Sequence, residues 1–210
     1  MKDLFNILGN GSVLFIGCHP DDIELGCAGL ISRISPKSKI FTLTLSKNQQ
    51  NSKNPNLISE HNKSLQFLGI KINHILLGNF TTREFSYSRQ EICDFLFKIK
   101  QKVKPTCVFI NSSDLHQDHQ VSNMECQRIF RDITLIEFNI ERSTMYSKPS
   151  LFIKLSKQEI LHKIKSLKHY NTYKNKNYFQ SENILAQSKT MGIKIESPYC
   201  EVFNIISLII

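Results

Sequence analysis

Short apolar runs alternate with segments of helical hydrophobic period along almost the whole chain, and this alternation constrains the fold more than any other feature. Residues 13–17 form the first run, after a Gly-Asn-Gly turn, and no polar side chain interrupts it, as in a strand covered on both faces. Leu25, Leu30, Ile31 and Ile34 then recur at helical spacing and Pro36 stops the pattern, so residues 24–35 are expected to form a helix. The unit repeats. Strands are expected at 40–45, 72–77, 106–110 and 135–140, with helices at 57–68 and 90–103 and another beginning near Asp118. Parallel strands need crossovers, so the expected architecture is α/β, a Rossmann-like three-layer α/β/α fold around a mostly parallel sheet. At 210 residues, the chain is read as one domain spanning 1–210. The last third adds an expected strand at 151–155, helices at 157–170 and around 182–191, and a final apolar strand.

The apolar runs at 12–18 and 202–210, the second broken by Asn204 and Ser207, fall short of the roughly 20 residues that a membrane helix needs. Asp3, Asn6, Gly9, Asn10 and Gly11 interrupt the start, which argues against a signal peptide and leaves a cytoplasmic protein as the expectation. The six cysteines include no Cys-x-x-Cys pair and most lie in apolar runs, so buried reduced thiols are expected rather than disulfides or a structural zinc knuckle. A net charge of +9 attracts anions in general. Here 21 Lys stand against 6 Arg, beside 27 Ile and only 2 Ala, the drift of A- and T-rich codons. The lysines are dispersed and no nucleic-acid-binding motif accompanies them, so no nucleic-acid partner is expected.

Two dense polar clusters follow predicted strands. Cys18-His19-Pro20-Asp21-Asp22-Ile23-Glu24 leaves the first strand, and Asp114-Leu115-His116-Gln117-Asp118-His119 follows the strand at 106–110. In a parallel sheet all strand exits share one edge, so the clusters can meet although about a hundred residues separate them. Imidazole and carboxylate suit zinc or a similar divalent ion, and an adjacent carboxylate can take a proton from water. Helix capping by Asp21 or Asp22 is the plainer explanation of the first cluster, but it accounts for one acid only. The polar stretches 46–56 and 78–88 are expected as loops walling the same edge. Arg83 in the second is a candidate contact for a phosphate or sugar hydroxyl, and Asp114 for a substrate hydroxyl. His61, His74, His162 and His169 lack acidic company in the sequence and are read as structural.

These clusters resemble the zinc-dependent N-deacetylases of the PIG-L and LmbE type. The resemblance rests on His19-Pro20-Asp21-Asp22-x-Glu24-x-Gly26 and His116-x-Asp118-His119. It extends to the helix ending at Leu68-Gly69, to Lys104-Pro105, and to Tyr199-x-Glu201-x-Phe203 near the end. It implies metal ligation by His19, Asp22 and His119, with zinc as the ion and iron(II) or cobalt(II) as substitutes. It also implies Asp21 as general base and a protonated His116, oriented by Asp118, as the second catalytic group. The implied substrate is an N-acetylated amino sugar, free or attached to a nucleotide, lipid carrier or glycoside, as in surface-glycan synthesis. A non-catalytic metal or nucleotide-sugar binding module is the alternative. The sequence leaves subunit number open, and a homo-oligomer is compatible with it. The chain departs from the family pattern at Cys18 and Cys200, where small residues are common, and at Asn171-Thr172.

Overall fold

The computed structural model describes residues 8–9, 11–50, 53–146 and 148–209. Strands β1 (Ser12–Gly17), β2 (Lys39–Thr44), β3 (Ile75–Leu77), β4 (Cys107–Asn111), β5 (Thr134–Phe138), β6 (Leu151–Leu155) and β7 (Tyr199–Ser207) form a seven-stranded sheet of order β3-β2-β1-β4-β5-β7-β6. The pairs β1–β2, β2–β3, β1–β4 and β4–β5 are parallel, while β7 is antiparallel to both β5 and β6. The helices are α1 (Asp22–Ile34), α2 (Leu57–Phe67), α3 (Arg89–Val103), α4 (Gln117–Ile129), α5 (Lys157–Leu167) and α6 (Ser181–Ile193).

Successive side chains of a strand point to opposite faces, and β1 feeds two cores in this way. Val13 and Phe15 join Ile23, Ile31 and Ile160 on the side of α1 and α5, whereas Leu14 and Ile16 join Ile92, Leu96 and Cys126 on the side of α3 and α4. Coverage of both faces is the three-layer α/β arrangement that the alternating pattern predicted. From β1 the chain builds outward through β2 and β3, then returns to place β4 and β5 on the other side of β1. The exits of β1 and β4 therefore flank a topological switch point, where open α/β sheets form a ligand crevice.

Two expected elements are shorter. Ile72–His74 is a turn of 3-10 helix, and only Ile75–Leu77 pairs with β2. Helix α5 ends at Leu167 rather than Tyr170, because Tyr170 turns inward and its hydroxyl donates to buried Glu24 Oε1 at 2.7 Å.

The position of α1 is fixed by close contacts. A Cβ at Gly26 would lie 2.3 Å from Phe138 Cδ2, so any side chain there would push α1, and the cluster that precedes it, away from β5. Glu201 on β7 accepts from the Gly29 and Leu30 amides at 2.9 and 2.7 Å and from buried Lys163 Nζ at 2.8 Å. Lys163→Met would leave that carboxylate buried without its cation. The expected loss is about 3–5 kcal/mol of stability, read from urea unfolding.

Candidate active site

Between β1 and α1 the backbone makes a strained turn. Asp21 occupies the position before α1 with φ 110°, in the left-handed region, and its side chain makes no capping hydrogen bond. A non-glycine residue held so costs on the order of 1–3 kcal/mol, and such strain concentrates at functional sites. Asp22 opens the helix but turns its carboxylate back, Oδ2 accepting from the Cys18 and His19 amides at 2.9 and 3.0 Å. Neither acid is spent on capping α1. Asn111, the last residue of β4, ties the two strand exits together: its Oδ1 accepts from the Cys18 amide at 3.0 Å.

After β4, His116 caps α4. Its Nδ1 accepts from the Asp118 amide at 3.1 Å, which leaves the ring proton of the neutral imidazole on Nε2. Asp114 Oδ1 accepts from the His116 amide at 2.8 Å, and Oδ2 accepts from His119 Nδ1 at 2.8 Å and from the Ser143 hydroxyl.

The clusters converge. Asp22 Oδ2 lies 3.3 Å from His119 Nε2 and 3.7 Å from His19 Nδ1. The ring centroids of His19 and His119 are 5.5 Å apart, and that of His116 is 4.7 Å from each. The outer nitrogen of each expected histidine ligand is held by a carboxylate, His19 Nε2 by Asp118 Oδ2 at 2.9 Å and His119 Nδ1 by Asp114. With those outer nitrogens donating to carboxylates, the neutral rings would present their lone pairs at His19 Nδ1 and His119 Nε2, both beside Asp22. Buried His119 Nε2 has only the ion-pair approach of Asp22 Oδ2 at 3.3 Å and no hydrogen bond of good geometry, so a candidate ligand atom is oriented and left unsatisfied. Carboxylates that fix the tautomer and raise the basicity of ligating histidines are the usual outer layer of a metal site. The residues therefore fit a divalent cation. Replacing Asp114 by Ala is expected to weaken divalent-ion affinity about 10–100-fold, measured by calorimetric titration.

The electrostatics agree. Burial would lower the His119 pKa, but the Asp22 and Asp114 carboxylates outweigh it and push the imidazole up to about 10. Burial would raise Asp22, yet His119 and His19 hold it well below the usual carboxylate range. This is a site that demands positive charge at its centre. Asp21 behaves oppositely: burial, then the charges of Asp22 and Glu24, raise its pKa well above the ordinary value and give it appetite for a proton. Burial and the neighbouring His19 and His119 bring His116 down to about 4.

Three side chains stand elsewhere than the sequence implied. The Asp118 carboxylate faces His19, not His116, because the Arg83 and Phe85 amides at 2.7 and 3.5 Å draw it toward the 78–88 loop. Its contact with His116 is through its own backbone amide, which fixes that ring as neutral rather than protonated. Arg83, at φ 70°, reaches the site through its backbone while its side chain is exposed. Asp114 has both oxygens already engaged, Oδ1 by the His116 amide and Oδ2 by His119 Nδ1 and the Ser143 hydroxyl. Of the histidines read as structural, His61 bonds Tyr170 and Thr44, His74 bonds the Ile40 carbonyl and His162 bonds Ser32. His169 packs against Phe67. All six cysteines are free, five of them buried.

Sequence reasoning missed a cleft of about 400 Å³ beside the first turns of α1, lined by Leu25, Ile140, Arg142, Tyr178, Ile184 and Gln187. Arg142 packs on the Tyr178 ring, 5.2 Å from its centroid, and Lys176 lies 5.1 Å from the centroid of Tyr173. These residues come from four separate segments with no motif spacing, so only their convergence identifies them.

Comparison with known proteins decides the family. The sequence profile of PIG-L, described as GlcNAc-PI de-N-acetylase, matches residues 14–129, more than half of the chain. The chain belongs to the PIG-L family. A relative in Escherichia coli strain K12, the uncharacterized deacetylase YaiS, is 26% identical over 171 residues, covering 76% of this chain and 90% of its own. Among solved structures, the N,N'-diacetylchitobiose deacetylase of Pyrococcus horikoshii superposes with a TM-score of 0.81 at 20% identity, over 97% of this chain and 87% of its own. The 4-carboxy-2-hydroxymuconate hydratase GalB of Pseudomonas putida KT2440 superposes with a TM-score of 0.73 at 12% identity, over 95% and 98%. At these identities the structures establish the shared fold alone, and that fold carries more than one chemistry. No helix among the described residues is long and apolar enough to cross a membrane.

Proposed function

We propose that this PIG-L chain is a metal-dependent N-deacetylase that converts an N-acetylated amino sugar into the free amine and acetate. The observation that carries this reading is the pair of histidines locked by Asp118 and Asp114, with their remaining nitrogens beside Asp22 Oδ2. His19, Asp22 and His119 would hold the ion, zinc in the first instance, with iron(II) or cobalt(II) suited to the same donors. When bound, the ion supplies Lewis acidity toward the amide carbonyl and lowers the pKa of water.

The chain's own groups do the rest. Asp21, unencumbered by capping and raised in pKa, takes a proton from the attacking water and returns it to the departing nitrogen. His116 donates from Nε2 to the amide oxygen as negative charge builds there, a role suited to a neutral ring whose Nδ1 is held by the Asp118 amide. Glu24 is fully buried behind Asp21, accepts from Tyr170 and keeps Oε2 without a partner, and its charge helps hold Asp21 ready for a proton. In this reading a sugar substituent lies beside α1, in the cleft at Arg142 and Tyr178. A role in surface-glycan synthesis in the cytoplasm is the setting this reading favours.

The test is amine release from a panel of N-acetylated sugars and sugar conjugates, using protein loaded with zinc, iron(II) or cobalt(II). Hydrolysis that disappears with a chelator and returns with one of these ions supports the assignment. Absence of amine release from every panel member by metal-loaded protein would overturn it.

A further inference from the structure

The donors at this centre fall into two overlapping sets. His19, His116 and His119 offer nitrogen atoms within 4.8 Å of one another, and Cys18, Asp22 and His119 offer a sulfur, an oxygen and a nitrogen within the same span. His119 belongs to both sets. It is 2% exposed, and its Nε2 is without a hydrogen-bond partner.

The sulfur cannot easily withdraw from this position. Cys18 is fully buried and its amide is tied to Asp22 Oδ2 and to Asn111 Oδ1. Its Sγ lies 3.5 Å from the Asp118 carbonyl oxygen, on the core side of the centre, among residues packed under α4. The other buried thiols have no such company: among the described residues only Cys18 joins a group of three potential ligands. The two sets also rank cations differently. Nitrogen and oxygen donors suit borderline ions, whereas a thiolate selects soft ones.

We propose that Cys18, Asp22 and His119 form a second, thiolate-containing cation site that overlaps the catalytic one and selects thiophilic ions such as cadmium. Because Asp22 and His119 serve both sets, a thiophilic ion and the productive ion exclude one another. Occupation forms a metal–sulfur bond and releases the thiol proton to solvent, with no oxidant or reductant required. The inference rests on the reading of this centre as metal-binding, and it adds a mode that hydrolysis does not need.

Cadmium titrated into the metal-stripped full chain tests it, followed by ultraviolet difference absorption for sulfur-to-cadmium charge transfer and by calorimetry. The expected result is stoichiometric cadmium, a charge-transfer band, and displacement of bound zinc. The band is lost in Cys18→Ala and Cys18→Ser and retained in Cys126→Ala. Serine keeps the approximate size of the buried side chain, so this variant reports if the alanine variant does not fold. A band that survives in Cys18→Ser, cadmium bound without a band, or no cadmium bound overturns the proposal. In the unmodified chain, amine release without a sulfur band sinks this inference alone. A sulfur band in a chain that hydrolyses nothing with any ion sinks the deacetylase reading alone.

Discussion

Asp21→Asn is expected to lower amine release by about 10²–10⁴-fold, the range for loss of a positioned acid–base group, while divalent-ion content stays stoichiometric. Asparagine preserves the shape of the side chain and tolerates the left-handed backbone at φ 110°, so the turn before α1 should survive. What is lost is the capacity to take a proton. The native carboxyl is suited to that task because burial and the charges of Asp22 and Glu24 raise its pKa. Turnover and metal content are measured on the same preparation. Near-native turnover in this variant would remove Asp21 from the role of base, and loss of the ion would assign it to ligation instead.

His119→Gln should be more severe in a different way. It removes the buried Nε2 that faces Asp22 and breaks the contact with Asp114. Loss of an outer-layer partner already weakens metal binding about 10–100-fold, so loss of the ligand itself should exceed about 100-fold and abolish turnover at micromolar ion. Elemental analysis after desalting, with calorimetric titration, distinguishes this variant from Asp114→Ala, which keeps the ligand and loosens its aim. If His119→Gln retained the ion as tightly as the unmodified chain, the ligand assignment would fail.

Much of this molecule was legible in its sequence, for identifiable reasons. A buried parallel strand must be continuously apolar and must be followed by a crossover, so 13–17 and its repeats announced the α/β sheet. The antiparallel arrangement of β6 and β7 had no comparable signature, because an apolar strand reads the same in either direction. In the site, the residue types at the exits of β1 and β4 pointed to a metal, since imidazoles and acids rarely crowd there for packing alone. The direction of each side chain was less accessible. Spacing made Asp118 look like a partner for His116, but the amides of Arg83 and Phe85 turn its carboxylate toward His19. By spacing Asp114 reads as a free substrate contact, but Ser143, from a later loop, shares its Oδ2 with His119.

The division of the proposed donors between two strand exits has a consequence for biogenesis. His119 follows His19 and Asp22 by about a hundred residues, and the three meet only when β4 has docked beside β1. A nascent or unfolded chain therefore lacks the chelate, and an ion that binds the finished topology preferentially draws the folding equilibrium toward it. Metal capture would then be a late checkpoint, reached only by molecules that have threaded the sheet in the right order.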